Sequence, residues 1–168
     1  MKLRELTPVH KIACYNELKE MLRKHDKEFV PPLSSRDSAV HTNFDELSYS
    51  CNIGMYCNEM IKHNVYVVVD EDKIVALIAF RYNYTNKYIR KTPNIYVSTV
   101  IVDNRYRGKG IADKLYEELM TKGLPIYVRT WSTNKSHIRV LDKLQFDLIK
   151  TIENDRGEGI DTLYYKYE

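Results

Sequence analysis

Cysteine is scarce. Cys14, Cys51 and Cys57 are an odd number at irregular spacing, and no C-x-x-C pair occurs. That excludes a disulfide framework and gives no zinc-ligand spacing, so reduced, buried thiols are expected. Glycine (6 copies) and proline (5 copies) are also few, which excludes collagen-like and low-complexity chains. No apolar run approaches the ~18 residues that a membrane span needs. The start, Met1-Lys2-Leu3-Arg4-Glu5-Leu6, lacks a long apolar stretch, which predicts no signal peptide and a cytoplasmic protein. Charge of one sign is nearly absent as an excess: 26 Lys and Arg against 23 Asp and Glu give +3. That balance permits an anionic ligand and does not argue for nucleic acid.

What is present suits one globular domain over residues 1–168. Apolar residues make up 43% and charged residues 29%, ordinary values for a folded protein. Tyrosine stands out at 14 copies against one tryptophan.

The first 62 residues read as helical. Tyr15, Leu18, Leu22 and Phe29 fall at helical spacing between Ile12 and Phe29, and Val30-Pro31-Pro32-Leu33 ends that stretch. A second periodic stretch runs from Phe44 through Leu47, Cys51 and Met55 to Ile61. From Asn64 the period changes to that of strands. Val65–Val69 and Ile74–Tyr84 flank the turn Asp70-Glu71-Asp72-Lys73 and predict a hairpin. A strand follows over Asn94–Val102, then a helix from Ile111 to about Lys122 with Ile111, Leu115 and Leu119 on its buried face. Pro125–Trp131 is a strand and Asn134–Leu144 a helix. Asp147–Glu153 and Ile160–Tyr167 close the chain as a second hairpin. Strand, helix and strand over 94–131 predict a parallel crossover, while the hairpins on either side predict antiparallel pairs. The sheet is therefore expected to be mixed.

The most informative segment is Val100-Ile101-Val102-Asp103-Asn104-Arg105-Tyr106-Arg107-Gly108-Lys109-Gly110-Ile111-Ala112. A β-branched strand leads into a short basic glycine loop and then into an amphipathic helix. Amides exposed at a helix start, aided by the helix dipole, favour an anion. Gly108 and Gly110 let the backbone approach a diphosphate closely, and Arg107 and Lys109 add full charges. A plain tight turn is the competing reading. Neither a Walker loop nor a G-x-G-x-x-G fingerprint is present.

Arg107-Gly108-Lys109-Gly110-Ile111-Ala112 resembles R/Q-x-x-G-x-G/A, the acetyl-CoA diphosphate motif of the GCN5-related N-acetyltransferase (GNAT) superfamily. The element order resembles that family along the whole chain, as do Asn134 and the helix ending at Leu144-Gln145-Phe146. Gln145 departs from the Gly-Phe usual there. The resemblance implies an α/β (α+β) acyl-CoA N-acyltransferase fold: a mixed, mostly antiparallel sheet with a splayed parallel pair and helices on both faces. It implies acetyl-CoA as co-substrate, its pantetheine arm along Val100, Ile101 and Val102, its diphosphate on Arg107 through Ala112, and Asn134 beside the arm. It also implies a small-molecule or peptide amine as acceptor, and allows a homodimer.

Direct attack of an amine on the thioester raises two proton problems. An amine of pKa ~10.4 costs roughly 4.6 kcal/mol to deprotonate at pH 7, so a base or a desolvating pocket is needed. The family's usual strand Glu is missing here, since no carboxylate precedes Asp103 on that strand; His137, Asp26 and Glu28 are the candidates elsewhere. The family's usual Tyr acid, seven residues after the Asn, is replaced by Leu141. His137, opening the helix that faces the splay, is the expected catalytic residue, with Tyr82, Tyr84 or Tyr164 as alternative acids. Phe29, Tyr82, Tyr84 and Trp131 are expected to line the acceptor pocket. Two other readings stay open: a non-catalytic acyl-CoA-binding module, motivated by Leu141, and an acetyltransferase acting on aminoacyl-tRNA, motivated by the basic run Arg81, Lys87, Arg90 and Lys91. No metal site is expected.

Overall fold

The structure is a computed structural model that describes residues 1–36 and 52–168. One seven-stranded sheet runs in the order β1-β2-β3-β4-β5-β7-β6. Its strands are β1 (Lys2–Glu5), β2 (Asn64–Asp70), β3 (Lys73–Tyr82), β4 (Ile95–Val102), β5 (Ile126–Trp131), β6 (Asp147–Ile152) and β7 (Thr162–Tyr167). The helices are α1 (Pro8–Ala13), α2 (Tyr15–His25), α3 (Ile53–Met60), α4 (Ile111–Met120) and α5 (Lys135–Lys143). Among these seven strands only β4 and β5 pair in parallel. The mixed sheet and both hairpins are as expected from the sequence.

The N-terminal third differs. Residues 2–5 form an edge strand on β2 rather than helix. Its pattern is mostly exposed, so only pairing with β2 makes it a strand, and pairing leaves no local signal. The long first helix is broken at Cys14 into α1 and α2, and it ends at His25 with a 3-10 turn over Asp26–Glu28. Of the second stretch, α3 covers the described part; Phe44 through Cys51 lie outside the described residues.

Each face of the sheet carries its own core. On one face Ile78, Phe80, Val97 and Val128 pack against Ile111, Leu115 and Leu119 of α4 and Leu141 of α5. On the other, Val65, Val67, Leu77 and Ile101 pack against Leu18 and Leu22 of α2 and Tyr56 and Met60 of α3. A smaller aromatic cluster, with Tyr84, Tyr96, Tyr127 and Tyr164, continues that second face over the later strands.

A bulge sets the geometry of the site. β3 residues Ala79 and Phe80 pair with Thr99 and Val97, so Ser98 is an extra residue in β4. Before it, Ile95 and Val97 face α4; after it, Thr99 and Ile101 face α2 and α3. Strict alternation would have put all four on one side. A bulge also bends its strand. The parallel pairing of β4 with β5 stops at Val97 and Val128, just where the bulge begins.

Candidate active site

Beyond Val97 and Val128 the two parallel strands part. Val100, Ile101 and Val102 stay paired with β3 but have no partner on the β5 side. Alternate backbone groups of that stretch therefore open on the gap. A cavity of about 600 Å³ passes through it, lined by residues of both sheet faces.

At one end lies the glycine loop. Asp103 caps the 3-10 turn Asn104–Tyr106 by accepting from the Arg105 amide at 3.1 Å, and Lys24 of α2 pairs with it at 2.5 Å. Burial works against the Asp103 charge, but Lys24 and Arg105 outweigh it and hold its pKa down at about 2. Gly108 and Gly110 have φ of +73° and +71°, and Gly110 is the residue that starts α4. Nothing crowds a Cβ at Gly108, so the backbone conformation, not space, calls for glycine. Arg107, Gly108, Gly110, Ile111 and Ala112 line the cavity. Lys109 is not in that wall; its ammonium lies over the Tyr106 ring, 4.9 Å from the centroid.

Arg107 is held on the cavity wall by the Val102 carbonyl and the Glu28 carboxylate, beside His25. Its Nε donates to the Val102 carbonyl at 3.0 Å and its Nη2 to Glu28 Oε2 at 2.5 Å, with His25 Nδ1 lying 3.3 Å from Nη2. His25 Nδ1 also faces Glu28 Oε1 at 3.0 Å. Burial pulls the Glu28 carboxyl up, but Arg107 and His25 pull it further down, so it is ionised at neutral pH. His25 is buried, and its Nε2 has no hydrogen-bond partner among the described residues. The sequence reading missed His25. The signal available was its spacing, His25-x-x-Glu28 at a helix end, which puts both on one face.

His137 lines the cavity too, but both of its ring nitrogens are engaged. Nε2 meets the Tyr116 hydroxyl at 2.8 Å and Nδ1 meets Thr130 Oγ1 at 3.1 Å. Burial pushes its pKa down to about 4, leaving a neutral, weakly basic ring at pH 7. Asn134 caps α5, accepting from the His137 amide at 3.4 Å, and also lines the cavity. Leu141 is fully buried in the core beside α4 and has no part in the cavity.

The expected acceptor residues divide. Phe29 and Trp131 both line the cavity and touch each other, with ring centroids 5.6 Å apart. Tyr82 and Tyr84 do not line it. Tyr82 is 43% exposed at the end of β3, and Tyr84 stacks on Tyr96 in the aromatic cluster. The alternation that put them on one face fails because Asn83 has φ +56° and ends the strand. Tyr164 is likewise buried in that cluster. No helix among the described residues is long and apolar enough to cross a membrane, and no group of metal-ligating side chains occurs among them.

A mixed sheet split between two parallel strands, with a glycine loop opening a helix beside the split, defines the acyl-CoA N-acyltransferase fold. The acetyltransferase (GNAT) family profile matches residues 18–146, and the chain belongs to that family. It is an N-acetyltransferase with acetyl-CoA as its acyl donor. No curated protein matches it significantly in sequence. Among solved structures, an N-acetyltransferase from Staphylococcus aureus Mu50 is 17% identical, with 99% of this chain and 97% of that one covered and a TM-score of 0.68. An aminoglycoside 6'-N-acetyltransferase complexed with coenzyme A is 16% identical, with 99% and 96% covered and a TM-score of 0.67. A ribosomal-protein-alanine N-acetyltransferase from Brucella melitensis is 14% identical, with 99% of each chain covered and a TM-score of 0.67. At these identities the likeness is one of fold.

Proposed function

We propose that acetyl-CoA lies in the gap between β4 and β5 and that the acceptor amine meets it from the opposite face of the sheet. The observation that carries this is the unpaired β4 edge at 100–102 running straight into the left-handed glycines of the loop. The β4 edge offers backbone partners to the amides of the pantetheine arm. The loop amides from Arg107 to Ala112 cradle the diphosphate at the start of α4. Arg107 exchanges its bond to Glu28 for a phosphate oxygen. Phe29 and Trp131 wall the acceptor side.

The reaction is a direct transfer. The amine nitrogen attacks the thioester carbonyl carbon, a C–N bond forms and the C–S bond breaks. The nitrogen loses one proton and the CoA thiolate takes up one. A thiol of pKa near 8.5 leaves without a strong acid, which fits the loss of the usual tyrosine at Leu141. For the base, the geometry favours His25 with Glu28. A carboxylate on Nδ1 fixes the tautomer that leaves Nε2 with a lone pair. His137 is assigned as a positioning residue that ties α5 to Tyr116 of α4 and Thr130 of β5. The setting proposed is the cytoplasm.

The test is CoA release with a panel of amines. Release that depends on the added amine is the expected result. Acetyl-CoA binding with no release above hydrolysis for any amine would favour the acyl-CoA-binding module and overturn the proposal.

A further inference from the structure

Glu28 serves two groups at once. Its Oε2 accepts from the Arg107 guanidinium at 2.5 Å, and its Oε1 faces His25 Nδ1 at 3.0 Å. A guanidinium only donates and an ionised carboxylate only accepts. His25 therefore carries its proton on Nδ1, since the other tautomer would set a lone pair against the carboxylate. Arg107 Nη2 and His25 Nδ1, 3.3 Å apart, are then two donors dividing one carboxylate. The opposite nitrogen of His25, Nε2, keeps its lone pair and is buried with no hydrogen-bond partner. All three residues line the cavity.

The surroundings fix Glu28 and leave the end of Arg107 free to turn. Asp26 accepts from the amide and the hydroxyl of Ser34, both at 2.7 Å, which pins the 3-10 turn that carries Glu28. Lys24 pairs with Asp103 at 2.5 Å. That second tie fastens α2 to the glycine loop whether or not Glu28 holds Arg107. Arg107 is anchored at Nε by the Val102 carbonyl, and its outer nitrogen Nη2 is the atom that meets Glu28. The Arg107 side chain is 47% exposed and that of Glu28 41%, so a phosphate can reach the pair. An ion pair this open to water is weak in net terms and exchanges readily.

Phosphate oxygens and carboxylate oxygens compete for the same guanidinium edge. We propose that Glu28 is a positioning residue shared by the two halves of the reaction. When Arg107 turns to the diphosphate of acetyl-CoA, the carboxylate is left to His25 alone, so the base gains strength only once the acyl donor is seated. This rests on the acetyltransferase reading above, with His25 as its base. In the proton step the N–H bond of the amine breaks, a bond from Nε2 to that proton forms, and the Nδ1 proton stays on the ring. The ring becomes a cation, which an undivided carboxylate on Nδ1 stabilises. While Arg107 shares that carboxylate, the same cation forms beside a like charge.

Calorimetry with CoA, which binds without turnover, reads the first half. Glu28→Gln removes the competing charge from Arg107 and should lower the CoA Kd about two- to fivefold. A residue that only shaped the wall would raise it. In an Arg107→Gln background the same change should leave Kd within about twofold, because no guanidinium remains to be released. Steady-state kinetics read the second half. Glu28→Gln should lower kcat at least about tenfold while the acetyl-CoA KM falls or holds. Glu28→Ala repeats each measurement if Glu28→Gln does not fold. A CoA Kd unchanged or raised in both Glu28 variants, an equal gain in the Arg107→Gln background, or a wild-type kcat overturns the proposal. The expected Kd pattern without CoA release from any amine by the wild type leaves the exchange at Arg107 standing and removes the acetyl-transfer reading. Amine-dependent release that Glu28→Gln does not slow does the reverse.

Discussion

At Gln145 a side chain sits where the family pattern has glycine, and the backbone shows why. Its φ is +62°, and it follows the C-cap of α5. The Phe146 amide reaches back to the Leu141 carbonyl and the Gln145 amide to that of Asp142, the Schellman arrangement. An L-residue pays for this conformation with a Cβ clash, so Gln145→Gly is expected to stabilise the protein by up to about 1 kcal/mol, net of glycine's extra chain entropy. The urea midpoint checks it. Gly110 is the converse case. Gly110→Ala places a Cβ on a left-handed backbone at the start of α4 and costs roughly 1–2 kcal/mol. It also adds bulk where the diphosphate is proposed to lie. Calorimetry is expected to show acetyl-CoA affinity falling at least tenfold.

At the scale of elements, α5 is fastened to α4 and β5 through one neutral histidine. The folded pKa of His137 is about 4, below the ~6.5 of an unfolded histidine. The unfolded chain therefore binds more protons between those values, and stability rises with pH across that window. The stabilisation is complete above about pH 6.5 and is lost as pH falls through 4. His63, held down to about 4 by burial and by Arg81, adds to the same slope. Denaturation midpoints measured from pH 4 to 7 should show a shallower slope in His137→Asn. A slope as steep as wild type would place the titration elsewhere. The α2 end makes a separate prediction. His25→Gln should lower kcat at least tenfold with acetyl-CoA KM little changed. An unchanged kcat would exclude His25 as the base.

For the whole molecule, the split in the sheet makes cofactor binding a property of the fold. Acetyl-CoA at 100 times its Kd stabilises the folded state by about 2.7 kcal/mol. For a chain of this size that is a rise of roughly 5–11 °C in melting temperature. ATP, which brings phosphates but no pantetheine arm for the β4 edge, should give a much smaller rise.

The sequence by itself determined the elements whose signals are local. The glycine loop, the α4 stripe of Ile111, Leu115 and Leu119, the helix α5 and both hairpins depend on residues a few positions apart, and each is found where it was expected. The tertiary structure decided what depends on distant partners. Residues 2–5 become a strand only by pairing with 66–69. The Ser98 bulge shifts the face of every later β4 side chain, and no local pattern marks it. Tyr82 and Tyr84 were expected in the pocket but lie outside it, because Asn83 ends the strand's alternation. His25 and Glu28 at the end of α2 meet Arg107 of the glycine loop, far along the chain, since opposing charge and burial act through space while sequence patterns act along it.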